Sequence, residues 1–468
     1  MTLDCGTEAR LLEVNWRFYN GRYLNSRFVY AFHSGYGLAV QIMSPIDEDD
    51  DLTWIDHSLT FYEEDLSAKE PLKPSIAVLP FDNLSDDPKQ EYFSDGLTQE
   101  IITALSKVPS MLVISRNSTF TYKNKSVKVQ QVAEDLGVRY VLEGSVRKDD
   151  EKVRITAQLI DAESGHSLWA DRYDRDIEDV FAVQDEITMT ILNALEVKFT
   201  EGEQARVLKK GTNDLDVYLK LLQGLHHTYS VNPESNLKAR AIYEEIISQE
   251  PNYANAYMLL ARSYWLEAFL STSKSKEETL QKGTIAAEKA ISIDNSLGMS
   301  YAILGQISIL KKDWDNGIAL LHKAIELEPN AADPSYYLGL GLNFAGQPEE
   351  AIPMLTKAIR LNPITPGRYL NAIAISYRMV GKYDKAIEYL ERATKQYPDF
   401  LFAHLNLSAC YILAGREKEA YAEAKEVLRL NPKFSVDRFG KALQLRKQEE
   451  KIKFIGALKK AFSFPNDS

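Results

Sequence analysis

The rear half of the chain spaces its apolar residues as amphipathic helices do, and this pattern repeats. Each unit ends with a proline or a residue in its place, and after a first interval of 44 residues the spacing is 34 or 35. These positions are Pro251, Asn295, Pro329, Pro363, Pro398 and Pro432. Proline lacks an amide donor and its ring collides with the preceding turn, so each one should end a helix. The pattern predicts an array of helical hairpins.

Small residues hold fixed offsets within this repeat. Four units carry them in register, as Gly305, Lys312, Gly317 and Ala324; Gly339, Gly346, Ala351 and Ala358; Ala374, Gly381, Ala386 and Ala393; and Ser408, Gly415, Ala420 and Val427. The first, third and fourth offsets are expected where two helices cross, and the second in the turn. We predict about six repeats over 215–434, the first two irregular, then a capping helix segment at 435–462 and a tail at 463–468.

The pattern changes between residues 74 and 200, where strand-like and helical segments mix. A buried strand is predicted at 75–81, then a helix capped by Ser94 or Asp95, a strand at 111–115 and a helix closed by Gly137. Three further strands, 139–147, 152–161 and 167–175, form an antiparallel meander before a last helix. The predicted fold is an α+β front domain, with a mixed sheet and flanking helices, followed by an all-α solenoid.

Charge and composition narrow the function classes. The 468 residues carry a net charge of -12, and residues 1–73, an unclassified aromatic-rich segment with an acidic linker, hold -7 of it. An acidic surface repels phosphates, so we expect no nucleic-acid partner. Two cysteines supply neither a disulfide framework nor a zinc site. No stretch approaches membrane-spanning length and no signal peptide opens the chain, which predicts a cytoplasmic protein without membrane insertion.

Catalytic spacings are missing from the sequence. It contains no phosphate-binding GxxxxGK[ST] loop, no GxGxxG after a strand, no HExxH and no GxSxG. His226 and His227 are adjacent, so on a helix their side chains diverge and would not share a metal ion. We therefore expect no enzyme activity, no catalytic residues, no cofactor and no metal.

Four segments of the front domain resemble a known family. They are 74–85, 91–98, 140–147 and 168–174, and together they resemble the TolB-like amino-terminal domain of bacterial signalling proteins. The 34-residue period is that of tetratricopeptide repeats. In proteins of this kind the TolB-like domain precedes such repeats and follows a class III adenylate cyclase domain or a CadC-type winged helix. Residues 1–73 are too short for the former and too acidic for the latter, so the resemblance implies the downstream, regulatory part.

The resemblance to tetratricopeptide arrays also implies a binding groove, which the first helix of each repeat lines. Its offsets fall on Met258, Arg262, Trp265, Gln306, Ile309, Tyr336, Asn343, Phe344, Asn371, Arg378, Met379, Phe402 and Leu405. Apolar anchors mixed with amides and arginines suit an extended or helical peptide. Some of these side chains, such as Trp265 and Phe402, could instead pack between helices.

Two functional hypotheses follow. The first is a non-catalytic adaptor in bacterial signalling that holds a protein or peptide in the groove, with self-association through the front domain as a second interaction. The alternative is a regulatory fragment of an adenylate cyclase or transcriptional regulator, whose catalytic or DNA-binding part lies outside this chain.

Overall fold

The structure is a computed structural model. It describes the backbone of residues 8–13, 17–19, 22–33 and 36–44, and residues 73–149, 151–197, 204, 207, 211, 212, 214–228, 232–270 and 272–463. The chain divides into two units, Met1–Lys73 and Pro74–Ser468.

The first unit contains an antiparallel sheet that the sequence analysis did not anticipate. Its strands are β1 (Glu8–Glu13), β2 (Arg17–Tyr19), β3 (Arg22–His33) and β4 (Tyr36–Ser44). Strand β3 is central and pairs with β1, β2 and β4, for example with Val29 opposite both Leu11 and Val40. The acidic run at 47–51 lies outside the described residues.

The second unit begins with the predicted mixed sheet. Its strands are β5 (Ser75–Val78), β6 (Asp82–Asn83), β7 (Leu112–Val113), β8 (Tyr140–Lys148), β9 (Lys152–Asp161) and β10 (His166–Asp176). The order is β10-β9-β8-β5-β7, and β6 also pairs with β8. Strand β5 runs parallel to β7 and β8, whereas β8, β9 and β10 form the antiparallel meander. The α+β fold class is confirmed.

Helices α1 (Glu91–Ser106), α2 (Arg116–Thr119), α3 (Val129–Leu136) and α4 (Val180–Ala194) accompany this sheet. Helix α3 ends at Gly137 with a φ of 64°, as expected. The predicted caps of α1 are wrong, because Ser94 and Asp95 lie inside the helix and are buried. The Asp87 carboxylate instead accepts a hydrogen bond from the Lys89 amide just before α1. Asp95 pairs with Lys123 at 2.5 Å.

Twelve helices follow in hairpins within the described part of 215–430. They are α5 (Leu215–Thr228), α6 (Pro233–Gln249), α7 (Ala254–Phe269), α8 (Lys276–Ile293), α9 (Gly298–Leu310), α10 (Trp314–Leu327), α11 (Ala332–Ala345), α12 (Pro348–Leu361), α13 (Gly367–Met379), α14 (Tyr383–Gln396), α15 (Leu401–Leu413) and α16 (Glu417–Leu430). The second helices α10, α12, α14 and α16 each end two residues before a proline, as the sequence predicts.

The small residues of the repeat lie at helix crossings and in the turns between helices. A Cβ atom added at Gly305 would lie 2.8 Å from the carbonyl oxygen of Gly317, so the crossing of α9 and α10 requires glycine. The turn residues Gly346, Gly381 and Gly415 have φ values of 79°, 77° and 78°. Lys312 occupies the same turn position with a φ of 69°.

Two more helices, α17 (Val436–Ala442) and α18 (Gln448–Ala461), close the described chain. Helix α18 packs on α15, the first helix of the last hairpin. Among the residues that the structure describes, no helix has both the length and the apolar character needed to cross a membrane.

Candidate binding groove

The first helices of successive hairpins lie side by side and form one continuous wall. Helices α7, α9, α11, α13 and α15 contact one another in that order. All thirteen predicted groove residues lie on these five helices. We call the surface that they form the groove face. Eight of the thirteen are buried, and five are partly or fully accessible.

Three predicted amides form hydrogen bonds between repeats. Gln306 donates from Nε2 to the Tyr337 carbonyl at 2.8 Å, and Asn343 donates from Nδ2 to the Ala372 carbonyl at the same distance. Asn371 accepts at Oδ1 from Asn406 at 3.0 Å. Gln306 and Asn343 are each 2% exposed, so their amides hold neighbouring first helices together. Asn371 keeps part of its surface accessible.

Two of the predicted aromatic anchors, Trp265 and Tyr336, pack against other aromatic rings of the array. Trp265 stacks on Phe269 with ring centroids 5.4 Å apart and contacts the edge of Tyr337. Tyr336 stacks on Tyr369 at 4.4 Å with an interplanar angle of 8°. Trp265 and Tyr336 are buried, which places them in the core between repeats.

The remaining predicted residues divide between core and surface. Ile309, Met379 and Leu405 are buried apolar side chains. The accessible ones are Met258, Arg262, Phe344, Asn371 and Phe402, of which Phe402 is 42% exposed.

Arg378 is covered by the C-terminal helix α18. Its guanidinium lies 4.0 Å from the ring centroid of Phe454, and the residue is 2% exposed. Burial lowers the pKa of Arg378 from its ordinary value. The atoms Nε and Nη1 have no hydrogen-bond acceptor among the described residues. This part of the groove face is thus filled by a helix from the same chain.

The segment before α18 extends back along the groove face. The Arg446 amide donates to the Phe344 carbonyl at 2.9 Å, and its guanidinium pairs with Asp315 at 2.6 Å. On α18 itself, Lys460 pairs with Glu417 at 2.6 Å. Basic side chains of this segment therefore contact acidic groups of the solenoid.

The α+β domain meets the solenoid through residues that the sequence analysis did not select. Ser118 donates from its hydroxyl to Asn362 Oδ1 and accepts from the Ile364 amide at 2.9 Å. Asn330 donates from Nδ2 to the Val108 carbonyl at 2.6 Å. Nothing in the sequence distinguishes these residues from ordinary loop residues, because their partners are more than 200 positions away.

A cavity of about 430 Å³ separates α1 from the amino-terminal part of the groove face. Met258 and Arg262 line it on the solenoid side, and Glu100 and Lys107 on the α1 side. Desolvation raises the pKa of Glu100, and the nearby Lys107 opposes that shift. The lining mixes both signs of charge with apolar surface.

In the part of the chain that the structure describes, no group of three or more His, Cys, Asp or Glu side chains is arranged to hold a metal ion. The rings of His226 and His227 lie 5.8 Å apart and are steeply inclined. Burial lowers the pKa of His227.

Comparison with known proteins identifies the repeats. Residues 377–444 match the tetratricopeptide repeat family, and residues 72–190 match the second domain of HilA/YgeH-like transcriptional regulators. The TolB-like resemblance of the front domain stays a prediction.

Two relatives are informative. "Putative adenylate cyclase 3" of Rhizobium meliloti is 45% identical over 226 residues, which cover 48% of this chain and 38% of that protein. "Transcriptional regulator HilA" of Salmonella typhimurium is 23% identical over 363 residues, covering 77% and 64%. The matches thus span less than two thirds of either relative.

Two solved structures are similar to part of this chain. YrrB, described as "a TPR protein with an unusual peptide-binding site", is 21% identical, with 43% of this chain and 98% of YrrB covered and a TM-score of 0.31. Human IFIT1 in complex with m7Gppp-AAAA is 15% identical, with 60% and 64% covered and a TM-score of 0.43. Residues 377–444, which lie in the described array of helical hairpins, match the tetratricopeptide repeat family.

Proposed function

We propose that the chain is a non-catalytic adaptor that binds a peptide or protein segment on its groove face. The supporting observation is that an amphipathic helix, α18, already packs there with Phe454 against Arg378. A guanidinium over an aromatic face is a favourable contact, and an amphipathic helix laid in a groove is a recurring mode of peptide recognition. The same chemistry would accept a helix from another protein.

The accessible part of the groove face is the candidate contact surface. Phe402 offers exposed apolar area, and Asn371 offers an amide on the neighbouring first helix. Aromatic residues dominate interface energetics, so Phe402 should contribute most to capture. Tyr336 is unsuitable for a test, since it belongs to the buried stack with Tyr369.

The test is quantitative affinity purification with the full chain, followed by mass spectrometry and titration of the captured protein. We expect Phe402→Ala to weaken capture by about tenfold, which places it among the minority of interface residues whose truncation costs more than about 1 kcal/mol. The matched control is Ile285→Ala, which removes a 58% exposed apolar side chain from the second helix α8. Equal capture by the wild type and both variants would contradict the proposal.

The second candidate function is a regulatory segment of an adenylate cyclase or transcriptional regulator. The 45% identity to "Putative adenylate cyclase 3" supports it. Sequencing the DNA upstream of Met1 tests it, because an in-frame cyclase or winged-helix sequence would favour it and a stop codon would count against it. In a cyclic-nucleotide assay with ATP or GTP and manganese, we expect no product from this chain alone.

A further inference from the structure

Strand β10 is the end strand of the mixed sheet. Within the described part of the chain it pairs with β9 alone, although it is 11 residues long. An unpaired strand edge presents a row of backbone amides and carbonyls that readily accepts another strand.

The direction of these backbone groups follows from the register of β9 and β10. Tyr173 lies opposite Ile155, and just beyond the strand the Ile177 amide donates to the Glu151 carbonyl at 2.9 Å. From Trp169 onward, beyond a shift in the register, the backbone groups of odd-numbered residues of β10 therefore bond to β9. Those of even-numbered residues point outward because the pattern alternates. Arg172 and Asp174 are thus at the free edge.

Side chains occupy the bonding positions that a neighbouring strand would use. The outward amide of Arg172 donates to the carboxylate of Asp171 at 2.7 Å. The outward carbonyl of Asp174 accepts from Arg175 Nη1 at 3.1 Å. Both of these side-chain hydrogen bonds are exposed to solvent, so hydrogen bonds to a neighbouring strand could replace them with little loss of free energy.

The charges of residues 171–175 read Asp-Arg-Tyr-Asp-Arg, which is complementary to its own antiparallel copy. When two such strands are centred on Tyr173, Arg172 of each lies opposite Asp174 of the other. Asp171 of each then lies opposite Arg175. Every charged residue of the segment meets the opposite sign, and the Arg172 amide faces the Asp174 carbonyl. Cross-strand pairs of opposite charge stabilise a sheet, and like pairs destabilise it.

We propose that β10 pairs with β10 of a second copy of this chain and extends the sheet across a twofold axis. Such an isologous contact uses one segment twice, as closed dimers do. It lies on the front domain and is independent of what the groove face binds. The 171–175 pairs are the better test, since they are non-hydrogen-bonded pairs with closer side chains. Asp174 is already shared between Arg154 and Arg172. Arg175 has an ion pair within the chain, with Glu186 at 3.6 Å.

The test is sedimentation velocity of the full chain over about a hundredfold range of concentration, with mass-action analysis of the dimer. Asp171→Arg places like charges opposite each other twice and should weaken the dimer by about tenfold or more. The double variant Asp171→Arg/Arg175→Asp restores both pairs with exchanged signs and should recover part of that loss, because it also replaces the Arg175–Glu186 ion pair by two acidic side chains. Arg172→Pro removes the outward amide donor and should also weaken the dimer, while sparing the bonds to β9.

The matched control is Glu163→Arg, the same change of charge at an exposed residue of the loop between β9 and β10. It should leave the dimer unchanged, and circular dichroism should show all variants folded. A wild type that stays monomeric at every concentration would overturn the proposal. So would a dimer that neither Asp171→Arg nor Arg172→Pro weakens, because another surface would then hold it, or a weakened dimer that the charge exchange fails to restore.

Discussion

The guanidinium carbon of Arg378 lies 4.0 Å from the ring centroid of Phe454, which is 76 positions further along the chain. The arginine was expected to hold a peptide from another protein, and a helix of its own chain covers it instead. A buried guanidinium with unpaired donors is costly, so the ring must supply part of the compensation. Through this contact α18 covers part of the groove face in addition to packing on the last hairpin.

Replacing Phe454 should therefore release this helix. Phe454→Ala removes a ring that is 3% exposed and leaves Arg378 facing a void. Truncation of a buried phenylalanine costs about 3–5 kcal/mol, which should exceed the local stability of a terminal helix. Hydrogen exchange measured by mass spectrometry should accelerate across 436–461 and stay slow in α13 to α16.

The control for this experiment is Ile452→Ala, on the same helix. Ile452 is 72% exposed, so its truncation should leave the exchange pattern unchanged. If the amides of α18 exchange as slowly in Phe454→Ala as in the wild type, the ring does not anchor the helix.

The repeat architecture could be predicted from the sequence because its determinants are local. A proline two residues after a helix, or a glycine in a left-handed turn, acts on its immediate neighbours, and Gly346, Gly381 and Gly415 lie where the offsets placed them. The period-two alternation of β9 and the short turns on either side of it likewise predict the meander of β8, β9 and β10.

The state of the groove could not be predicted in the same way. An amide such as Asn343 looks the same in a sequence whether it binds a ligand or bridges two repeats. Which group covers Arg378 depends on where α18 packs. The position of the front domain on the solenoid depends on a hydrogen bond between Ser118 and Asn362, which are 244 residues apart in the sequence. Contacts between residues so far apart in the sequence produce no periodic pattern that could predict them.

The turn at Lys312 tests whether the left-handed backbone conformation of these turns favours glycine. Lys312 has a φ of 69° where three other repeats have glycine, and a side chain in that conformation is strained. We expect Lys312→Gly to stabilise the array by about 0.5–1 kcal/mol, as measured by urea unfolding.

The reverse substitution at an equivalent turn is the matched comparison. Gly381 has no atom within 4 Å of an added Cβ, so Gly381→Ala changes only the backbone preference. It should destabilise the array by about 1 kcal/mol. If both variants shift the unfolding midpoint in the same direction, turn conformation is not the cause.

Ser118 tests how the front domain is attached to the solenoid. Its hydroxyl donates to Asn362 and accepts from the Ile364 amide, and the residue is fully buried. Ser118→Ala leaves both partners unpaired, which should cost about 1–3 kcal/mol. Ser126→Ala, at an exposed position of the same domain, should change the unfolding free energy by less than about 0.5 kcal/mol. Equal stability of the two variants would contradict this attachment.

The two hydrogen bonds of the His404 ring lead us to expect that the stability of the protein depends on pH. Its Nδ1 atom lies 2.5 Å from Glu423 Oε2, and its Nε2 atom lies 2.8 Å from the Pro398 carbonyl oxygen. Both partners are acceptors, so both ring nitrogens must carry protons, which only the imidazolium form allows. Burial alone would lower the pKa of His404, but the hydrogen bonds to Glu423 and Pro398 outweigh it and raise that pKa above its ordinary value of 6.5.

Because the folded pKa of His404 exceeds the unfolded one, the folded state binds the proton more tightly. Its contribution to stability is complete below 6.5 and is lost as the pH rises through the raised folded pKa. The wild type should therefore exceed His404→Gln in unfolding free energy by more at pH 6 than at pH 9. Chemical denaturation at both values measures this difference, and NMR titration of the ring gives the pKa directly. An equal difference at the two pH values, or a ring that titrates below 6.5, would show that His404 is neutral in the folded protein.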